Sequence, residues 1–300
     1  MKIGFIGTGT MGQPMLANLV KKGFAVIAFD VVPAALDAAA NLGAVRAGSV
    51  GEVAALCEIV ITMLPSSANA EAVYLGSGGI AECAAQGRLC VDMSTVDPGT
   101  SQRVAARLKE RGLRFLDAPV SGGVGGATSG TLAIMVGGDA GDLAEARPVL
   151  ATMGTNIIHV GAVGAGEVAK LCNNLISGSA LVAVAEAFRI GEAFGVDPQI
   201  LTSVIAKSSG ATWVMEHMHP VPGIVDSAAS SRQYAPGFMT DLMAKDLGLA
   251  VSAARDKRVP VVVSPAAQQL YRMASSHGLG REDFSAVYKF LKPSSDDAPV

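Results

Sequence analysis

The chain lacks most of the features that assign a protein to a specialised class. Its four cysteines, Cys57, Cys83, Cys90 and Cys172, show no Cys-x-x-Cys spacing. Three sit in apolar or helical surroundings, so they read as buried thiols of a reducing compartment rather than disulfides or metal ligands. Only four histidines are present. Their one close pair, His217-x-His219, has no cysteine or second acid clustered with it, so no metal is expected. Positive charge is not in excess: the net charge of −3 gives no general attraction to nucleic acid or to an anionic membrane surface. No apolar run reaches the ~18 residues of a membrane-spanning helix without a charge or a glycine inside it. Internal repeats are also missing.

What is present is a chain of 300 residues, 50% of them hydrophobic, with 35 glycines. That is enough to bury a large core in one large or two medium domains. The most informative stretch is Ile3-Gly-Phe-Ile-Gly7-Thr-Gly9-Thr10-Met11-Gly12, an apolar strand breaking into the pattern G-x-G-x-x-G. Gly7 permits a tight turn, Gly9 removes a side chain where a pyrophosphate would sit, and Gly12 lets the next helix approach the strand. With Thr10 and Met11 these residues form the expected cofactor cradle, and the helix they open presents free N–H groups to an anion. A second strand, residues 25–29, ends at Asp30, about 20 residues beyond the loop, where a carboxylate accepts from the adenosine ribose. Asp30 would repel a 2′-phosphate, and Val31-Val32-Pro33 supplies no arginine, so NAD is expected over NADP. Because this motif begins so near the N-terminus, a presequence has no room, and a cytoplasmic protein or a processed form is expected.

Short β-type runs alternate with helical segments through the first half of the chain. Strands are predicted near 44–46, 59–63, 89–92, 114–117, 132–136 and 156–160, with helices over 34–42, 50–57 and 101–111. This alternation predicts an α/β fold, a Rossmann-type doubly wound and mainly parallel sheet. Its ligand crevice would lie at the carboxyl ends of the strands. From 163 to 192 the spacing turns helical without proline, predicting one long helix. Further helices follow over 198–207, 239–255, 264–277 and 283–291, interrupted by a loop from 208 to 238. The expected organisation is a nucleotide-binding domain, 1–161, and a long helix with an all-α C-terminal domain, 162–300, ending in a frayed tail at 294–300.

Several clusters bear chemistry. Leu64-Pro65, with Asn69 just beyond, and Ser94-Thr95 follow strands, where they serve either as cofactor contacts or as ordinary turn and cap residues. Ser121-Gly122-Gly123 can cradle a small carboxylate with neutral donors, or form a plain connection. Lys170 and Asn174 share one face of the long helix in apolar surroundings. Such a lysine either snorkels to solvent or, desolvated, takes an alcohol proton as hydride leaves. Lys245-Asp246 lies on a later apolar helix, where the lysine reaches cofactor or substrate, or forms only a surface ion pair.

Together these residues resemble the β-hydroxyacid dehydrogenases, nearest their 3-hydroxyisobutyrate branch, over almost the whole chain. The resemblance rests on the opening Gly4-to-Met15 stretch, Thr62-Met-Leu-Pro65, Asp117-Ala-Pro-Val-Ser-Gly-Gly123, Gly164-Ala-Gly-Glu-Val-Ala-Lys170-Leu-Cys-Asn-Asn174 and Met243-Ala-Lys-Asp-Leu-Gly-Leu-Ala250. Pro220-Val-Pro-Gly223 and Asp283-Phe-Ser285 look like that branch too. The resemblance implies Lys170 as the catalytic residue, Ser121, Gly122 and Gly123 as the substrate-carboxylate loop, and Asn174 as a substrate contact. It implies cofactor contacts at Leu64, Pro65, Asn69, Thr95 and Lys245, and places Trp213 and Asp246 near the pocket. Met218-His219 departs from the Tyr-Asn of close relatives, which bears on the substrate. The expected reaction is NAD-dependent oxidation of a small 3-hydroxy acid, first 3-hydroxyisobutyrate to methylmalonate semialdehyde in valine breakdown. Alternatives are an enzyme of L-serine, 3-hydroxypropionate or tartronate semialdehyde, or a non-catalytic dinucleotide sensor. The family also implies homodimers or homotetramers.

Overall fold

In the computed structural model, which describes residues 1–292, the first half builds a single sheet. Its order is β1 (Lys2–Ile6), α1 (Gly12–Lys21), β2 (Ala25–Phe29), α2 (Pro33–Asn41), β3 (Val45–Arg46), α3 (Val50–Leu56), β4 (Ile59–Thr62), α4 (Ser67–Leu75), α5 (Ile80–Cys83) and β5 (Leu89–Asp92). Then come α6 (Pro98–Glu110), β6 (Arg114–Asp117), β7 (Val120–Ser121), α7 (Gly123–Ser129), β8 (Leu132–Gly137), α8 (Ala140–Leu150), β9 (Gly154–Gly161) and α9 (Ala165–Ala193). The strands lie in the order β3-β2-β1-β4-β5-β6-β8-β7, with β9 beside β8. Pairs from β3 to β6 are parallel. β8 runs against β6 and β7 but along β9. The sheet is therefore mainly parallel and Rossmann-type, as the alternation predicts.

Helices cover both faces, which is why β4 and β5 are buried along their whole length and read as continuous apolar runs. Period-two alternation divides the core: Ile3 and Phe5 pack with Leu16 and Leu19 on one face, while Ile6 packs with Val53, Val60 and Tyr74 on the other. The chain leaves β1 toward β3 and returns to β4 on the opposite side. The carboxyl ends of β1 and β4 thus form the topological switch point, where such sheets hold ligands.

Boundaries differ from the periodicity where caps decide. Helix α6 starts at Pro98, ahead of the apolar spacing, because the Asp97 carboxylate accepts from Thr100 N–H and proline suits the first helical position. Residues 123–129 form the short helix α7 rather than an open glycine connection, closed by Gly130 in the left-handed conformation.

Helix α9 is unbroken over 29 residues, roughly 43 Å at 1.5 Å per residue. By length and composition alone it is apolar enough to cross a membrane. Its uncharged stretch, residues 171–185, is still shorter than a span and is broken by Gly178, in keeping with the sequence expectation.

Two compact units divide inside this helix, Met1–Lys170 and from Leu171 onward. The second unit is helical: the rest of α9, then α10 (Pro198–Ala206), α11 (Trp213–His217), α12 (Thr240–Asp256), α13 (Val263–Ala274) and α14 (Val287–Phe290). Its core gathers Leu181, Ala185, Phe188, Met243, Leu247 and Tyr271. Gly178 on α9 is needed there, since an added Cβ would meet Met243 Sδ at 2.7 Å. The expected tail at 294–300 lies outside the described residues. One thiol departs from expectation: Cys57 and Cys90 are buried, but Cys172 is exposed. It stands two residues past Lys170, about 200° around the helix from that buried position.

Candidate active site

The glycine loop following β1 has the form a dinucleotide needs. Gly7 has φ +92°, and a Cβ there would lie 2.2 Å from Met63 O; at Gly12 it would lie 2.0 Å from Gly7 O. These two glycines are demanded by the fold itself. Gly9 is different: a Cβ there would meet nothing within 4 Å. Among the described residues nothing crowds that position, and the open space is what a pyrophosphate resting on such a loop requires. Gly9 and Thr10 are exposed at the tip, and Met11 precedes the first turn of α1.

Asp30 stands at the end of β2, its carboxylate held by Thr8 N–H at 2.7 Å and Val32 N–H at 2.8 Å. The Thr8 hydroxyl also donates to it, at 3.3 Å, and three such bonds still leave acceptor capacity for a ribose hydroxyl. The residues present thus fit NAD.

The β4 and β5 ends are tied together by a network that the sequence reading missed. Asp92 Oδ1 accepts from Thr62 Oγ1 at 2.8 Å and from both the hydroxyl and the N–H of Ser94. Tyr74 OH pairs with Thr62 Oγ1 at 2.8 Å, and Ser94 Oγ accepts from Leu64 N–H at 2.8 Å. Burial raises the Asp92 carboxyl above its usual range, a desolvation effect that the Ser94 and Thr62 bonds only partly offset. The network fixes the turn carrying Leu64 and Pro65 at the crevice. An acid inside the apolar run Leu89-Cys-Val-Asp92 was the available signal; Thr62 and Tyr74 gave none. Asn69 lies in the first turn of α4, its N–H accepted by the Ser66 cap. Thr95 is half-buried in the segment after β5.

At the end of β6, Asp117 is fully buried. Its carboxylate accepts from Gly164 N–H at 2.7 Å and Glu167 N–H at 3.0 Å, capping the first turn of α9. Glycines make room for it: a Cβ at Gly137 would lie 2.5 Å, and one at Gly166 2.8 Å, from its oxygens. Desolvation pushes its carboxyl up, and the N–H bonds oppose the rise. Glu167, also fully buried, accepts from Val96 N–H at 3.2 Å. Lys170 follows one turn later and is only 5% exposed, as is Asn174. The lysine therefore does not reach for solvent along its helix. Ser121 closes β7, and Gly122 and Gly123 adopt φ +128° and +59° at the start of α7.

In the second unit, Asn174 Nδ2 donates to Asp246 Oδ2 at 2.6 Å, and Lys245 Nζ lies 3.3 Å from Asp246 Oδ1. Asp246 is thus a buried hub rather than half of a surface pair. Trp213 is 60% exposed and stacks on His217 at 4.5 Å. His219 is buried instead: its Nδ1 accepts from Val221 N–H at 3.1 Å, and its Nε2 lies 3.2 Å from Thr202 Oγ1.

Residues 2–161 match the family described as the NAD binding domain of 6-phosphogluconate dehydrogenase. Residues 164–291 match that described as NAD-binding of NADP-dependent 3-hydroxyisobutyrate dehydrogenase. The mitochondrial 3-hydroxyisobutyrate dehydrogenase of Rattus norvegicus is 43% identical over 97% of this chain and 87% of its own length. The chain belongs to the β-hydroxyacid dehydrogenase family. Within that family, the NAD-dependent L-serine dehydrogenase of Pseudomonas aeruginosa is also 43% identical, over 98% of each chain. A solved structure of the Mycobacterium tuberculosis 3-hydroxyisobutyrate dehydrogenase with L-serine superposes with a TM-score of 0.92 at 40% identity, covering 97% of this chain and 99% of that one. This β-hydroxyacid dehydrogenase is an NAD-dependent oxidoreductase acting on a CH–OH group, of the 3-hydroxyisobutyrate dehydrogenase type.

Proposed function

We propose that the enzyme oxidises 3-hydroxyisobutyrate to methylmalonate semialdehyde, a step of valine breakdown, with Lys170 as general base. The observation that carries this reading is Lys170 itself, an amine only 5% exposed on the long helix, one turn before Asn174, also 5% exposed. NAD, when bound at the glycine loop, accepts the hydride leaving the alcohol carbon. Neutral Lys170 takes the hydroxyl proton in the same step, so oxidation accelerates as pH rises. The Ser121 hydroxyl and the backbone of Gly122 and Gly123 hold the substrate carboxylate. Asn174 holds substrate with the amide hydrogen that Asp246 leaves free. Leu64, Pro65, Asn69 and Thr95 contact the cofactor.

L-serine is the second reading, favoured by the names of the Pseudomonas and Mycobacterium relatives. It differs by an ammonium where 3-hydroxyisobutyrate carries a methyl. Asp246, the buried carboxylate beside Asn174, is already engaged by Lys245 and Asn174, which favours the neutral methyl. Met218 packs against the apolar core around Phe188, consistent with the same preference.

NADH formation measured across 3-hydroxyisobutyrate, L-serine and 3-hydroxypropionate tests the assignment. The highest kcat/KM is expected for 3-hydroxyisobutyrate; a higher value for L-serine would replace it. Lys170→Ala is expected to lower turnover by about 10²-fold or more while NAD binding persists. Near-normal turnover would remove Lys170 as base.

A further inference from the structure

The first turn of α9 brings a second buried acid beside the base. Glu167 is fully buried and Lys170 is 5% exposed. They are three residues apart on one helix, a spacing that sets side chains side by side with Cβ atoms about 5–6 Å apart. Glu167 does not cap its own helix; that role falls to Asp117, whose carboxylate holds Gly164 N–H and Glu167 N–H. The Glu167 side chain instead crosses to Val96, accepting its N–H at 3.2 Å. It therefore links the Thr95–Val96 segment, on the cofactor side, to the helix that carries the base.

Resting on the assignment of Lys170 as base, we propose that Glu167 is a positioning residue for Lys170, whose buried carboxylate sets the pH at which the lysine becomes neutral and catalysis begins. A carboxylate a helical turn away in a dry site stabilises the ammonium form. Burial alone acts in the opposite direction, so the pair tunes the base between two opposing effects.

Other charged groups of this unit lie close by. Asp117 accepts the Glu167 backbone N–H, and Asp92 interacts electrostatically with Asp117. The Ser94–Val96 segment packed on Glu167 has no titratable side chain, and Asp97 beyond it is turned onto Thr100. Glu167 is thus the acid placed to act on Lys170 from its own helix.

The test is the pH profile of kcat/KM for hydroxy-acid oxidation by Glu167→Gln. The amide still accepts from Val96 N–H, but its charge is gone. The acidic limb is expected to move to lower pH by about one unit, roughly a tenfold gain in relative activity on that limb, with KM for NAD near the parent value. A uniform fall in kcat with the limb unmoved would show a merely structural role and overturn the proposal. If Glu167→Gln does not fold, Glu167→Ala carries the same test, with the limb again lowered and KM for NAD raised through loss of the Val96 tie. Lys170→Ala, assayed in parallel, separates the two failures. Lost turnover there with an unmoved limb in Glu167→Gln overturns this inference alone, and retained turnover overturns the base assignment together with it.

Discussion

Gly7, Gly9 and Gly12 share one motif but answer to different masters. Gly7 and Gly12 are pinned by backbone contacts, whereas space around Gly9 is open. Gly9→Ala should therefore fold with a melting temperature within a degree or two of the parent yet bind NAD at least about tenfold more weakly. Gly7→Ala should lose several kcal/mol of stability, since positive φ and a backbone clash act together. Thermal melts beside NAD titration separate these outcomes, and equal NAD affinity in Gly9→Ala would contradict the cradle. These glycines, Asp30 and Lys170 were legible in the sequence because each breaks a local pattern: glycine where a helix should begin, an acid closing an apolar strand, an amine inside an apolar helix. Asp246 was half-legible. Its neighbour Lys245 was visible, but its bond to Asn174 joins residues far apart in the chain. Cys172 was misread as buried because an apolar neighbourhood says nothing about which side of a helix a residue occupies.

Among the elements, strands β5 and β6 appeared with the boundaries that their residues predict, being short runs stopped by Asp92 and Asp117. The predicted helix over 283–291 instead breaks into a 3₁₀ turn, Phe284–Ala286, and the short α14. The Asp283 carboxylate caps the start of that turn, accepting from Ser285 N–H, and also holds the Gly237 and Phe238 N–H groups. The segment from His219 to Tyr234 is stapled similarly: Ser230 Oγ donates to His219 O, and Tyr234 OH donates to Pro220 O at 2.8 Å. The departure at His219 is therefore a packing feature of the second unit. Burial lowers this ring from 6.5 to about 4. The folded protein holds it neutral, while the unfolded chain protonates it below about 6.5. Its stabilisation is thus complete above that pH and lost as pH falls toward 4, a decline of roughly 3 kcal/mol. Urea unfolding at pH 7 and pH 4.5 checks this. His219→Gln should show a smaller decline than the parent, and an equal one would assign the acid sensitivity elsewhere.

For the whole molecule, NAD is expected to bind the native chain and not the unfolded one, so it should raise the melting temperature with the logarithm of its concentration over Kd. At about 100 times Kd the gain is roughly 2.7 kcal/mol. Differential scanning calorimetry with NAD and with NADP should show the larger shift for NAD, because Asp30 disfavours a 2′-phosphate; equal shifts would refute that discrimination. By itself, the sequence determined the sheet class, the dinucleotide loop, the family and the lysine on its long helix. Those depend on local periodicity and on contiguous motifs, which a chain displays along its length. The tertiary structure decided which acids surround that chemistry. Asp92 meets Thr62, Asp117 meets Gly164, and Glu167 meets Val96 across 30, 47 and 71 positions respectively. Burial makes each of those carboxylates seek hydrogen-bond donors, and the parallel sheet's crossovers choose which donors are near.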